Sequence, residues 1–375
     1  MEIKKVKANF LLNKDGRFFT FNYSTPIATS NNQNMIVIGK PYEGTDWCHS
    51  IGKVLTYIRK SENIWELSDT LFMEELGEYA EFGTSVALTQ DGKKLFVGAT
   101  GINSDSGKVY IFQRNVYTKR WEKFDEIELP HKISDFDDLF GSSIAISEDA
   151  SILAIGAEGR HILDDFDDYI YKGEIFIYKK INNKYMLDKI LTPITTQEIK
   201  NFSLEEYEPI DIEYKFRDFF LNLKKEYFNL GSSLSMTPDG RVLIAGANNR
   251  NHRYKAKNSE GSVYTFIKDE NQDYKLLSEL KLDYEISKEL KLKNFGMTAT
   301  VSKDGLTAII GATKNFKENF ALIYRRKSIT DNWKLVRILQ QEPVEFSSRL
   351  ILNKNIVHYK GGPMKAIFKY HHLKY

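Results

Sequence analysis

The sequence predicts an all-β chain: a β-propeller of six four-stranded blades, with seven as the alternative count and one short helical insertion. Two observations carry this. One strand-like segment recurs along the whole chain, and each copy is followed by two further strand-like runs with aromatic residues in fixed columns. Units this small, apolar on both faces, cannot fold singly. Arranged radially they bury one another.

The recurring segment reads FGTSVALTQDGKKLFVGAT from Phe82, FGSSIAISEDASILAIGAE from Phe140, LGSSLSMTPDGRVLIAGAN from Leu230 and FGMTATVSKDGLTAIIGAT from Phe295. A weaker copy, YSTPIATSNNQNMIVIGKP, starts at Tyr23, and a degenerate one, FSSRLILNKNIVHYKGG, starts at Phe346. In the first strand of each copy, apolar residues alternate, as in Val86 and Leu88 or Ile144 and Ile146. Between them runs a small column, Ala28, Ala87, Ala145, Ser235 and Thr300, suited to the narrow inner end of a tapering sheet. The second strand is apolar without alternation, so both of its faces are covered. Asp91-Gly92, Asp239-Gly240 and Asp304-Gly305 form the tight hairpins between these strands. The third strand carries the aromatic column Tyr57, Phe112, Tyr178, Phe266, Tyr324 and Phe368. The fourth opens on Trp65, Trp121, Tyr185, Tyr274 or Trp333 and is more polar, as an outer edge should be.

These signals place blades at 23–72, 82–129, 140–193, 230–282, 295–340 and 346–372 within a single domain, 1–375. The last copy lacks a fourth strand. Residues 1–12 supply a spare one and are expected to close the ring as the outer strand of the last blade. The long gap at 194–229 reads as an insertion. Asp211 can cap a helix there, with Phe216 and Phe220 on its apolar stripe. That stripe either packs onto the propeller or forms a docking surface.

The order Phe-Gly, strand, Gly-Ala, Gly-x-Val-Tyr-x-Phe resembles the FG-GAP repeat of integrin α-chain propellers, and more nearly its bacterial and viral relatives that lack the calcium loop. The resemblance covers residues 23 to 370 or so and implies fold rather than activity. The calcium loop of the integrin relatives is not carried over. The matching turns TQDG, SEDA, TPDG and SKDG are too short, and hold too few carboxylates, to wrap a calcium ion.

Composition narrows the function classes. Lys and Arg number 53 against 51 Asp and Glu, a balance that argues against a nucleic-acid partner. A single cysteine excludes an internal disulfide framework. No apolar run is long enough to span a bilayer, and no signal peptide is seen, so a cytoplasmic or virion-associated protein without membrane insertion is expected. The Gly98–Lys108 segment has the wrong spacing for a phosphate loop. No nucleophilic triad or metal motif stands out, so no cofactor is expected.

Candidate partner-binding residues therefore lie on loops. Asp135, Asp137 and Asp138 precede the third blade, and Asp164, Asp165, Asp167 and Asp168 sit between its second and third strands. They read as solvated loops or as a site for a cation or basic partner. Arg250, His252, Arg253, Lys255 and Lys257 occupy the equivalent loop of the fourth blade. Trp47 is the one tryptophan outside the strand-four column, a partner anchor or a ring folded back on its blade. Strand alternation puts all these long connections on one face. The resulting reading is a non-catalytic FG-GAP-type propeller acting as a protein-interaction or structural scaffold. The alternative is a carbohydrate-binding protein or glycan-active enzyme using the loop-rich face.

Overall fold

The computed structural model describes residues 3–6, 26–30, 34–42, 50–61, 64–130, 137–163, 169–192, 229–248, 261–315, 318–341, 350–352 and 355–357. After a short strand β1 (Ile3–Val6), the chain forms successive antiparallel sheets in which sequence order is spatial order. Blade one is β2 (Ile27–Thr29), β3 (Met35–Lys40), β4 (Lys53–Ser61) and β5 (Ile64–Leu71). Blade two is β6 (Phe82–Leu88), β7 (Lys94–Ala99), β8 (Lys108–Arg114) and β9 (Trp121–Glu128). Blade three begins with β10 (Phe140–Ile146) and β11 (Ile152–Ala157). A side hairpin of β12 (His161–Leu163) and β13 (Tyr169–Tyr171) follows, then β14 (Glu174–Ile181) and β15 (Lys184–Leu191). Blade four is β16 (Leu230–Met236), β17 (Val242–Ala247), β18 (Ser262–Lys268) and β19 (Tyr274–Lys281). Blade five is β20 (Lys293–Val301), β21 (Thr307–Asn315), β22 (Glu318–Arg325) and β23 (Lys334–Gln341).

Five blades, not six, are complete among the described residues. The sixth copy contributes only a two-stranded hairpin, β24 (Leu350–Leu352) with β25 (Asn355–Val357). Strand β1, expected on a sixth blade, runs parallel to β23 with Ile3 opposite Ile338. The open outer edge of the last complete sheet presents unpaired backbone groups, and β1 satisfies them.

The blades are joined by a repeated contact. The Phe-Gly pair (Leu-Gly in blade four) opening the first strands of blades two to five sits in a bulge, as between Phe82 and Ser85 and between Phe140 and Ser143. The aromatic ring is fully buried, and the glycine carbonyl faces the preceding blade. There it meets the glycine of a second strand: Gly83 on Gly39, Gly141 on Gly98, Gly231 on Gly156, Gly296 on Gly246. A Cβ on Gly156 would overlap the Gly231 carbonyl, so no other residue lets the backbones approach this closely. A serine of the preceding blade donates to the same carbonyl: Ser85 to Gly141 at 2.6 Å, Ser143 to Gly231, and Ser233 to Gly296 at 2.9 Å. Backbone amides complete the joint, with Phe82 N donating to Ile51 O, Phe140 N to Ser106 O and Leu230 N to Lys172 O.

The sixth copy departs from this joint in sequence. Ser347 stands where the other copies have the carbonyl-presenting glycine, and Asn319 replaces the glycine that opens the third strand. At the first blade Pro26 takes the serine position, so Gly39 meets Gly83 without the hydroxyl bond.

Aromatics lock the outer strands. Trp121 Nε1 donates to the buried Thr56 hydroxyl of blade one, and Trp333 Nε1 to Thr265 of blade four, both at 2.9 Å. Tyr185 and Tyr274 instead donate to turn carbonyls of their own blades, Ala150 and Gly240. A bulge marks the third-strand aromatic column in every blade, as at Ile111/Phe112 and Ile177/Tyr178.

The short turns use one device. Thr89, Ser147, Thr237 and Ser302 hydroxyls donate to Asp91, Asp149, Asp239 and Asp304, and each aspartate Oδ1 accepts a backbone amide two residues on. The turn carboxylates are thus structural. Partial burial opposes ionisation of Asp239, but the Thr237 hydroxyl and Arg241 amide outweigh it and hold the carboxyl below its ordinary value.

One helix was not anticipated. Helix α1 (Tyr284–Leu290) fills the connection between blades four and five, with Asp283 capping the Glu285 and Ile286 amides at 3.0 and 3.2 Å. Ile286 and Leu290 pack against the core of those blades. The expected insertion helix, with Phe216 and Phe220, lies outside the described residues.

Gly156→Ala should destabilise the fold by about 3 kcal/mol or more, since blade four must move to admit the methyl, whereas Ser143→Ala should cost about 1 kcal/mol, because the Gly231 carbonyl keeps only the longer 3.4 Å bond from Ser142. Urea melts of the two variants test that ranking. Asp239→Ala tests the turn. A depressed folded pKa adds stability that is present above the unfolded value near ~3.9 and lost as pH falls through the folded value. The gap between wild type and Asp239→Ala should therefore be constant above about pH 5 and narrow in more acidic buffer.

Candidate protein-docking face

Connections from strand two to three and from strand four to the next strand one emerge at the same end of the blades, because neighbouring strands run antiparallel. At blade three this end is built on a buried charge cluster. Arg160 follows β11 and is buried at 3% exposure; Asp138, in the approach to β10, is at 1%. Arg160 Nη1 donates to Asp138 Oδ1 at 3.1 Å, and Arg160 Nε to Glu174 Oε2 at 3.1 Å. The Arg160 carbonyl accepts both the Lys172 and Gly173 amides at 2.9 Å. These bonds close the base of the β12–β13 hairpin. Gly159 lets the chain pass, since a Cβ there would strike the Asp137 carbonyl.

The cluster is electrostatically tense. Burial pushes the Glu174 carboxyl up, opposed by the Arg160 guanidinium. Burial also lowers Lys172, opposed by Glu174. Asp138 Oδ2 is buried with no hydrogen-bond partner among the described residues.

A line of carboxylates continues toward blade two. Asn103, Ser104 and Asp105 form a left-handed turn with φ of 55°, 58° and 62°. Three consecutive non-glycine residues in that region are strained. Asp137 is also left-handed, at φ 61°. The Leu139 amide donates to the Asp105 carbonyl at 2.8 Å and holds the two segments together. Burial raises the Asp105 carboxyl, and the neighbouring Asp137 charge raises it further. Glu81 is likewise raised, by burial first, although the Thr100 hydroxyl donates to it at 2.8 Å, and Asp105 adds to the rise.

The sequence-derived candidates divide accordingly. Asp138 is a buried ion-pair partner rather than a solvated loop residue, because the Arg160 guanidinium holds it. Asp137 is half-buried and faces Asp105. Asp135, Trp47, Asp164, Asp165, Asp167, Asp168, Phe216, Phe220 and the basic loop 250–257 lie outside the described residues. Among the described residues no three His, Cys, Asp or Glu side chains are grouped to hold a metal. Sequence reasoning missed Arg160, Glu174, Glu81 and Asp105. The lone arginine between Gly159 and the acidic run was the available signal for the first.

Solved structures share this architecture. The Cps50 (Swd1) β-propeller domain of Myceliophteria thermophila superposes with a TM-score of 0.51 at 11% identity, covering 86% of this chain and 74% of that one. The fold is a β-propeller. A protein from Lactobacillus plantarum (TM-score 0.49, 11% identity, 86% of this chain and 73% of that one) is also similar. So is a putative 6-phosphogluconolactonase from Bacteroides fragilis (TM-score 0.49, 11% identity, 90% of this chain and 78% of that one). At this identity the likeness speaks to fold alone. No family model matches the chain, and no curated protein does. No helix among the described residues is long and apolar enough to cross a membrane.

Replacing Arg160 with Ala leaves Asp138 and Glu174 buried without a counter-charge and should cost about 3–5 kcal/mol at neutral pH. Carboxyls raised in the folded state favour folding when protonated, so stability is lost as pH rises through the raised value. The Arg160→Ala penalty, read from chemical denaturation, should shrink between pH 7.5 and pH 4.5.

Proposed function

We propose that the protein is a non-catalytic propeller of the FG-GAP type, and that it serves as an interaction scaffold whose loop-rich end docks a basic protein partner. The observation that carries this is the pairing of Asp105 with Asp137. The Leu139 amide ties the Asp137 segment to the Asp105 carbonyl at 2.8 Å, both aspartates sit on left-handed backbone, and the Asp137 charge adds to the burial that raises the Asp105 carboxyl. A cationic partner relieves that repulsion on binding. The buried Arg160 cluster supports the reading, because it fixes the base of the β12–β13 hairpin, whose strands flank Asp164, Asp165, Asp167 and Asp168 in sequence. We place Trp47, Phe216 and Phe220 on the same docking face as apolar anchors. The Phe-Gly and Gly-Ala columns support the FG-GAP reading, since those are the residues that make the interblade joints.

A fluorescein-labelled lysine-rich decapeptide probes the face directly. Asp105→Asn with Asp137→Asn keeps residues tolerant of left-handed backbone and should weaken binding about five- to tenfold. Adding asparagine at Asp164, Asp165, Asp167 and Asp168 should weaken it further, and Trp47→Ala should do so without changing the salt dependence. Unchanged affinity in the first pair of substitutions would contradict the proposal.

A further inference from the structure

The opposite end of the propeller carries the short turns between first and second strands. Between blades two and three it holds a groove of about 550 Å³, within the range of small-ligand sites. One wall is the Thr89–Lys94 turn, and the other is the Glu148–Ala150 turn with Lys180 at the end of β14. A second recess of about 350 Å³ shares Gln113 with the first and runs along the outer edge of blade two. The Glu148 amide donates to the Pro238 carbonyl of blade four at 2.8 Å, which anchors the far wall.

The lining mixes fixed donors and acceptors. Lys94 and Lys180 approach each other across the groove, and neither forms an ion pair among the described residues. Burial, and then the Lys180 charge, hold Lys94 below the ordinary lysine value. Lys94 Nζ also lies 4.6 Å from the centre of the Phe124 ring. Asp91 and Asp149 lend Oδ1 to their turns, and Gln90 Oε1 is a buried acceptor with no partner among the described residues. In the adjoining recess Tyr117 is 90% exposed and Phe124 46%.

Each class of occupant meets this lining differently. A polyanionic peptide is attracted by Lys94 and Lys180 but has few side-chain hydroxyls for the acceptors of the lining. A neutral sugar satisfies the acceptors and leaves the facing ammoniums unrelieved. A sugar chain with a carboxylate and free hydroxyls on each residue satisfies both sets, and its ring faces suit exposed aromatics. The combined recesses have room for two to four such residues, at the few hundred Å³ typical of small-ligand sites.

We propose that this groove binds an acidic oligosaccharide, with Lys94 and Lys180 taking one carboxylate, Gln90, Glu148 and Asp149 accepting sugar hydroxyls, and Tyr117 stacking on a neighbouring ring. This site is separate from the docking face, so either proposal can fail without the other.

Calorimetric titration of the full chain with tetragalacturonate tests it, with cellotetraose and tetraglutamate as the neutral and non-sugar arms. Tetragalacturonate should bind, and both controls should bind about tenfold more weakly or not at all. Lys94→Gln with Lys180→Gln should weaken tetragalacturonate about tenfold. Tyr117→Ala, at a fully solvated position, should weaken it about threefold or more without altering the melting temperature. No binding of tetragalacturonate to the wild type would overturn the proposal. So would equal binding of tetraglutamate, which marks a mere polyanion site, or unchanged affinity in both variants. Binding of the lysine-rich peptide should be indifferent to these substitutions.

Discussion

The fold depends on how closely two backbones can approach where one blade meets the next. At each of four joints a glycine carbonyl from one first strand rests on a glycine of the preceding blade, and at three of them a serine hydroxyl, from Ser85, Ser143 or Ser233, caps the contact. A sheet covered on both faces has no surface left for water, so the spacing between blades is set by the smallest residues in the interface. The glycines are therefore as constrained as any core residue. The fully buried Phe82, Phe140 and Phe295 hold each bulge that aims the carbonyl. The pattern lapses in sequence at Asn319 and Ser347.

Because the joints and strands are fully occupied in packing, chemistry is left to the two ends. The ends are built differently. Short turns are self-contained, each aspartate being held by a hydroxyl and an amide within its own hairpin. Opposite them the long connections carry charges that the fold tolerates rather than needs, such as Asp105 beside Asp137. Arg160 marks the boundary between the two regimes. It is buried like a core residue, yet its partners Asp138 and Glu174 stand at the feet of the loops. Blades two and three thus carry charged groups at both ends, the Arg160 cluster at one and Lys94 with Lys180 at the other.

The architecture was legible because repetition reveals what a single strand pattern cannot. The Phe-Gly column, the Asp-Gly turns and the aromatic columns each recur at matching positions, and each proved to have a distinct contact. The blade number was less legible. Counting copies treats Phe346 and Phe82 as equivalent, whereas the joint distinguishes a following glycine from a serine. Strand β1 was misplaced for a related reason: a spare strand signals an open edge without saying which edge. Helix α1 escaped because seven residues in a connection give little periodicity, although Asp283 is a recognisable cap. Arg160 and Asp138 lie 22 residues apart, and a buried pair across that distance leaves no local pattern. The groove beside Lys94 was invisible because it arises between two turns that each look ordinary alone.

The most direct test of the joint is native-state hydrogen exchange at the amides that cross between blades. Phe82, Phe140 and Leu230 donate to carbonyls of the preceding blade, while Val97 and Ile155 lie in central strands of single blades. If the joints hold the propeller together, the crossing amides should exchange only through global unfolding, with the same opening free energy as the central-strand amides. Markedly faster exchange at Phe82, Phe140 and Leu230, with the central strands still protected, would show that blades separate freely and would contradict the account.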